Sequence, residues 1–183
     1  MTMRKEKPAM RLRATSRAEK AIQAAYVLAS HEGVSLAQSQ HLLMALVQEP
    51  GSFSTRLLGE LGVSPQDLVL GLAQVESERG GFPYAEAEAM RTTPGQTRIA
   101  AADPSEQAWA HNRAALLDPA RDAAQRLGDT QVGTEHLLLG LLREEEAAGQ
   151  ALLHLGVTWE RAQAALSVLP RGNTPLTEDR PAG

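Results

Sequence analysis

Two histidines stand beside polar residues in a pattern that could do chemistry. His41 follows Gln40 and His136 follows Glu135. A histidine next to an acid can bind a metal ion or act as a general base. Neither histidine has a second histidine or acid four residues further on, which would share its helical face, and the two lie far apart in the sequence. We therefore interpret both as packed or capping histidines and predict neither a metal site nor a cofactor.

Other reactive side chains give equally little support for catalysis. The chain has no cysteine, which excludes disulfides, thiolate metal sites and a cysteine nucleophile. The three acids at 144–146 are adjacent, so they point in different directions around a helix and are typical of a solvated face. No G-x-S-x-G stretch gives a serine a nucleophile context. We predict that the protein is not an enzyme.

Composition predicts the class of fold that positions these residues. Apolar residues make up 43% of the 183 residues and charged residues 22%, which is typical of a globular protein. Aromatic residues are only 3%, so the core is built mainly from Leu, Ala and Val, which favours helices over a β-sandwich. The pattern predicts an all-α fold.

Charge is distributed unevenly along the chain. The net charge is −4, which disfavours a broad nucleic-acid surface because phosphate neutralisation needs a basic stripe. Residues 1–13 nevertheless carry a net +4. We predict a flexible basic arm, with binding to nucleic acid or an anionic surface as the alternative function. No apolar segment reaches the roughly 20 residues of a membrane-spanning helix, and we expect a cytoplasmic protein.

The sequence contains an internal repeat. HLLMAL at 41–46 recurs as HLLLGL at 136–141, and the Leu-Gly-Val at 61–63 recurs at 155–157. Gly33 and Gly128 each stand eight residues before the respective histidine. Three anchors in register to within one residue indicate a duplicated unit. We predict two tandem, pseudo-symmetric four-helix repeats.

Helix-capping residues give the predicted starts of the helices in each repeat. Thr15, Ser39 and Ser64 are predicted N-caps in the first repeat, and Thr134 and Thr158 in the second. The Asp118-Pro119 pair predicts a break or kink in the first helix of the second repeat, because Asp at N-cap with Pro next is a restart signal.

Glycine and proline content predicts the domain boundaries. We predict a basic arm at 1–13, a first repeat at 14–75, a linker at 76–104, a second repeat at 105–169 and a flexible tail at 170–183.

The two tryptophans have different predicted roles. Trp159 follows a cap and is predicted to be in the core, whereas Trp109 lies at the junction of linker and repeat and is a candidate interface anchor.

These motifs resemble a known family. The Thr15-Ser16-Arg17-Ala18 helix start, the stretch VGTEHLLLGLLRE at 132–144 and the two Leu-Gly-Val closures are similar to the double Clp repeat at the head of ClpA- and ClpC-type AAA+ unfoldases. The resemblance covers about 15–75 and 105–169. It implies two four-helix units that bind adaptors or substrates, including peptides with phosphorylated arginine. No G-x-x-x-x-G-K-[ST] phosphate loop is present, so we expect a stand-alone member without the ATPase.

The resemblance also implies where a ligand binds. In the family, an acid of the Gly-Thr-Glu-His block receives a guanidinium, and phosphate lies near the start of a repeat's first helix. Here Glu135 keeps the acid, whereas Gln40 replaces it in the first repeat; Thr15 keeps the first-helix cap, whereas Ala110 replaces it in the second. Each repeat therefore keeps half of the constellation.

The candidate binding residues are Thr15, Arg17, Gln40, Trp109, Thr134 and Glu135. The function implied by the resemblance is a non-catalytic protein- or peptide-binding module, which regulates, adapts or acts as a decoy for a Clp chaperone–protease system. The implied partners are a Clp ATPase, its adaptors or its substrate peptides.

Overall fold

The structure, a computed structural model, describes residues 12–79, 105–142 and 145–170. These residues form eight α-helices and two very short strands, four helices on each side of residues 80–104. The all-α architecture of two four-helix repeats is confirmed. In chain order the elements are β1 (Arg13–Ala14), α1 (Ser16–His31), α2 (Ser39–Gln48), α3 (Phe53–Glu60), α4 (Pro65–Glu78), α5 (Glu106–Leu127), β2 (Gln131–Val132), α6 (Thr134–Leu141), α7 (Ala147–His154) and α8 (Trp159–Val168).

Three of the predicted N-caps are confirmed. The side chains of Thr15, Ser64 and Thr158 accept hydrogen bonds from backbone N–H groups at the starts of α1, α4 and α8. At Ser64 the bond is reciprocal, because the Asp67 carboxylate accepts from the Ser64 N–H at 2.9 Å. Such caps satisfy N–H groups that have no partner within the helix.

The predicted caps at Ser39 and Thr134 are wrong. Gln38 and Gly133 occupy the N-cap positions of α2 and α6, so each predicted cap is the first residue of its helix instead. The physical reason is that His41 and His136 perform the capping: their Nδ1 atoms accept from the N–H of the N-cap residues at 2.9 and 2.8 Å.

Helix α5 runs without a break through Pro119, so the break predicted at Asp118 is wrong. Proline removes one N–H from the helix ladder, yet α5 packs tightly against α6 at this point. A Cβ added to Gly140 of α6 would lie 2.9 Å from the Ala120 nitrogen. The close approach buries Ala120, Ala123 and Ala124, and this tertiary contact outweighs the local signal.

One hydrophobic core extends through both repeats. Its largest fully buried side chains come from equivalent positions of the two copies, such as Leu42 and Leu43 in α2 and Leu137 and Leu138 in α6. The repeats also contact each other between α4 and α7, where Gly71 lies against Leu155 and the Ala151 carbonyl.

The predicted arm, linker and tail fall largely on residues 1–11, 80–104 and 171–183, which lie outside the described residues.

Candidate functional site

The start of α1 lies beside the start of α6, although the two helices belong to different repeats. Strands β1 and β2 pair in parallel, with Ala14 opposite Val132. The pairing continues as the Thr15 N–H donates to the Val132 carbonyl at 2.9 Å. Thr15 caps α1, and Gly133 directly after Val132 caps α6. Two helix N-termini therefore lie side by side.

The start of α3 joins them. The Ser54 N–H donates to the hydroxyl of Thr134, which is 3% exposed, at 3.2 Å. From α1, the Arg17 guanidinium donates to the Gly51 carbonyl at 2.8 Å, just before α3 begins. We call this group of residues, Thr15, Arg17, Ser54, Thr134 and Glu135, the three-helix site. Because helix N-termini carry partial positive charge, their convergence favours an anion.

Glu135 supplies the negative charge of the three-helix site. Its side chain is 23% exposed, and its carboxylate lies over Gly133, where an added Cβ would be 2.4 Å from both carboxylate oxygens. One oxygen is 3.5 Å from the His136 Nδ1. That nitrogen accepts the Gly133 N–H, so it carries no proton and the short separation is not an ion pair.

Both histidines use both ring nitrogens. Since Nδ1 accepts from backbone N–H, the proton is on Nε2, which donates to the Glu32 carboxylate from His41 and to the Asp129 carboxylate from His136, each at 2.9 Å. Both rings are 2% exposed or less. The interpretation as capping histidines is confirmed. Glu32 and Asp129 were not among the predicted residues, because their spacing from the two histidines differs between the repeats.

Gln40 and Trp109 lie outside the three-helix site. Gln40, the counterpart of Glu135, donates to the Gln38 side chain at 2.6 Å and lines a cleft with Ser39, Arg79 and Glu146. Trp109 packs against Tyr26 of α1 with ring centroids 4.5 Å apart and ring planes tilted by 53°. Trp109 therefore contacts the other repeat within the same chain.

The Tyr26 hydroxyl is buried without a hydrogen-bond partner. Burial raises the pKa of Tyr26, and the nearby Arg113 guanidinium partly offsets the increase. Arg113 also pairs with the Glu19 carboxylate across the same α1–α5 contact. Sequence reasoning missed this contact because nothing in the spacing of the aromatic residues indicates that they meet.

The described parts of the chain offer neither a metal centre nor a membrane span. No group of three or more His, Asp or Glu side chains there is arranged to hold a metal ion. Among the same residues, every helix is too short or too polar to span a bilayer.

Comparison with known proteins shows which family and fold the chain shares. The family model for the Clp repeat (R) N-terminal domain matches residues 13–155 and 110–173. The chaperone protein ClpB of Corynebacterium efficiens is 29% identical over 171 residues, which are 92% of this chain and 18% of that protein. The negative regulator of genetic competence ClpC/MecB of Bacillus subtilis is 29% identical over 164 residues, 88% of this chain and 18% of that protein.

A solved structure from preliminary structural investigations of a malarial protein secretion system has the same fold. It is 20% identical, with a TM-score of 0.57, over 85% of this chain and 92% of that chain. The chain spans only 18% of the length of the ClpB and ClpC/MecB relatives. The family model nevertheless covers most of the described residues in both repeats. The chain belongs to the Clp repeat N-terminal domain family, whose members are the substrate- and adaptor-binding modules of Clp chaperones.

Proposed function

We propose that the protein is a non-catalytic peptide-binding module that regulates a cytoplasmic Clp chaperone–protease system, as an adaptor or as a decoy for its ligands. The observation that carries the proposal is the parallel pairing of β1 with β2, which brings Thr15 of the first repeat beside the Gly-Thr-Glu-His block of the second. Each repeat alone has half of the family's constellation. Together they form one complete set.

The three-helix site has complementary parts for a ligand with both charges. The backbone N–H groups of Ser16 and Arg17 precede the first intrahelical bond of α1, which the Glu19 N–H makes to the Thr15 carbonyl. With the Arg17 side chain, they favour a phosphate. Glu135 provides a carboxylate that can accept two parallel hydrogen bonds from a guanidinium. Phosphorylated arginine combines both groups, and we propose peptides that carry it as the ligands.

Affinity capture from native lysate tests the proposal. The bait is the full chain, and the matched variants are Glu135→Ala and Gln40→Ala. We expect wild type and Gln40→Ala to retain Clp components or arginine-phosphorylated proteins and Glu135→Ala to lose them. Recovery of neither class by wild type would contradict the proposal. Retention of nucleic acid alone, lost when residues 1–13 are deleted, would favour the basic-arm alternative instead.

A degradation assay separates regulation from binding alone. An arginine-phosphorylated substrate is incubated with a Clp ATPase and its protease, with and without this chain. A decoy slows degradation and an adaptor accelerates it, and in both cases the Glu135→Ala variant has no effect. An unchanged rate with a saturating amount of wild-type chain would show that the module does not regulate this system.

A further inference from the structure

A mainly apolar groove lies where α3 ends and α4 begins, and we call it the α3–α4 groove. It has a volume of about 370 Å³, and the residues that line it include Val47, Leu58, Gly59, Gly62, Pro65 and Leu68. Leu58 and Leu68 are buried, at 3% and 0% exposure, whereas Gly59 and Pro65 are exposed. The groove shares no residue with the three-helix site.

Two glycines leave the groove open. An added Cβ at Gly59 or at Gly62 would meet no atom within 4 Å. Gly62 has φ of 75°, the left-handed backbone that ends α3, and this conformation favours glycine there. Gly59 has no such backbone and lies within α3, where glycine costs about 1 kcal/mol relative to alanine. The backbone therefore gives no reason for glycine at 59, whereas an open groove does.

The second repeat has large apolar side chains at the corresponding positions. When the two Leu-Gly-Val closures are aligned, Gly59 corresponds to Leu153, the second-last residue of α7 as Gly59 is of α3. Pro65, the first residue of α4, corresponds to Trp159, the first residue of α8. The Trp159 side chain is partly buried and packs against the core. The second repeat therefore supplies an indole and an isobutyl group where the first repeat leaves space.

The α3–α4 groove lies in an acidic part of the molecule. Residues 39–78, which supply α2, α3 and α4, include five acids but only one lysine or arginine, Arg56. Glu60 directly follows Gly59 and is exposed. Helices α2 and α3 also end at the groove, and helix C-termini carry partial negative charge. These charges are complementary to a basic ligand.

The positive features near the groove are engaged within the chain. At the start of α4, the Asp67 carboxylate accepts from the Ser64 N–H at 2.9 Å and from the Ser64 hydroxyl at 2.6 Å. These hydrogen bonds hold the pKa of Asp67 below its usual value, so the carboxylate is ionised at neutral pH. The Arg56 guanidinium lies over the Phe53 ring, 5.3 Å from its centroid. The net charge that a ligand meets at the groove is therefore negative.

We propose that the α3–α4 groove binds an extended peptide through one large apolar side chain, tryptophan or leucine, that stands next to lysine or arginine. The second repeat indicates which side chains this surface accepts, because Leu153 and Trp159 occupy the corresponding positions. The acidic rim favours the basic neighbour. The site goes beyond the proposed function, since it needs no phosphorylated arginine and does not use Glu135.

Fluorescence anisotropy with a short fluorescein-labelled peptide, carrying one tryptophan between two lysines, tests the proposal on the full chain. We expect this peptide to bind. Alanine in place of its tryptophan lowers the affinity at least tenfold, because the burial of a large apolar side chain is lost. Glutamates in place of its lysines lower the affinity about two- to fivefold, and this difference shrinks at high salt.

Two substitutions give the first repeat the side chains of the second. Gly59→Leu and Pro65→Trp each fill the groove, and we expect each to lower the affinity for the tryptophan peptide about tenfold. Both positions are exposed, and a Cβ at Gly59 meets no atom, so we expect both variants to fold. Far-UV circular dichroism checks this. Ala24→Leu adds a leucine at an exposed position of α1 outside the groove and leaves the affinity unchanged.

Several results would overturn the proposal. These are equal binding of the alanine peptide, unchanged affinity in both groove variants, or a loss caused by Glu135→Ala, which would place the peptide at the three-helix site. A tenfold gain in affinity on deletion of residues 1–11 would make the chain's own basic arm the occupant. A wild-type dimer that Gly59→Leu dissociates would make a second copy the occupant. Either finding would replace the partner peptide, and none of these results removes the proposed function.

Discussion

In the proposed function Glu135 receives the cationic group of the ligand, and none of the described residues donates a hydrogen bond to its carboxylate. Its carboxylate lies over Gly133 and faces a histidine nitrogen that is itself an acceptor. The partial positive charge at the start of α6 favours this position of the carboxylate. For an exposed acid near a helix N-terminus, the stabilisation is about 0.3–1 kcal/mol. A ligand guanidinium must draw the carboxylate away from the helix start, so this small free energy opposes binding.

The substitution Gly133→Ala tests that competition. The backbone at 133 has φ −93° and ψ −178°, which alanine adopts readily, but the added Cβ would be 2.4 Å from both Glu135 oxygens and must displace them. We expect the affinity for the phosphorylated-arginine peptide to rise by about two- to fivefold. Gln38→Ala, at the corresponding position of α2, is the control and leaves affinity unchanged. Weaker binding by Gly133→Ala would show that the folded-back carboxylate is the binding conformation.

Tyr26 makes stability sensitive to alkaline pH. Burial raises its pKa above the ordinary value of 10.0, despite the opposing effect of Arg113. A raised pKa in the folded state means that this contribution to stability is complete below about pH 10 and is lost as pH rises through the folded-state pKa. In urea unfolding between pH 7 and 11, we expect Tyr26→Phe to lose less stability than wild type at the alkaline end.

The Tyr26→Phe variant also reports on the buried hydroxyl. That hydroxyl has no hydrogen-bond partner, so its removal costs no hydrogen bond, and we expect the free energy of unfolding at pH 7 to be at least that of wild type. The tilted ring contact with Trp109 remains possible with phenylalanine. Equal alkaline losses in the two proteins would show that other groups cause the pH dependence.

At the scale of helices, glycine determines how closely two elements approach. A Cβ at Gly140 of α6 would lie 2.9 Å from the Ala120 nitrogen and 3.1 Å from the Pro119 carbonyl carbon, both main-chain atoms of α5. Although alanine favours helix by about 1 kcal/mol over glycine, we expect Gly140→Ala to lower the free energy of unfolding by about 1–3 kcal/mol, because it forces the helices apart. Chemical denaturation of both proteins measures the difference.

Gly71→Ala is the matched control for that prediction. Gly71 lies in α4, and an added Cβ would first meet the Leu155 Cδ1 at 3.4 Å, an ordinary contact with a side chain that can move. Here the gain in helix propensity dominates, and we expect an increase of about 0.5–1 kcal/mol. A loss at both positions would show that helix packing is equally tight in the two places.

The sequence predicted the elements better than the contacts between them. Caps at Thr15, Ser64 and Thr158 are local, and local hydrogen bonds suffice to predict them. Helices α2 and α6 begin one residue earlier than predicted, because His41 and His136 accept the N–H of the N-cap residue, as Glu or Gln does at the third helical position of a capping box. The continuity of α5 depends on its contact with Gly140. The three-helix site depends on strand pairing between distant segments, which no spacing reveals.

At the scale of the whole molecule, the repeats are joined in several places. Thr15 is bonded to Val132, Ser54 to Thr134 and Asn112 to Ala37, and each of these hydrogen bonds connects one repeat to the other. The buried side chains form one continuous cluster across both repeats. Neither four-helix unit could keep its partners if the other unfolded. The proposed binding site has the same property, because Thr15 and Glu135 come from different repeats.

This interdependence predicts a single cooperative unfolding transition. Leu58 and Leu152 occupy corresponding positions in α3 and α7 and are 3% and 0% exposed. We expect Leu58→Ala and Leu152→Ala each to lower the free energy of unfolding by about 2–4 kcal/mol while keeping one transition in urea, with tryptophan fluorescence and far-UV circular dichroism coincident. If the repeats were independent, each variant would split the transition and move only one half of it. Ligand binding would then survive partial unfolding, whereas a site shared between the repeats requires that it disappear with the first loss of helix.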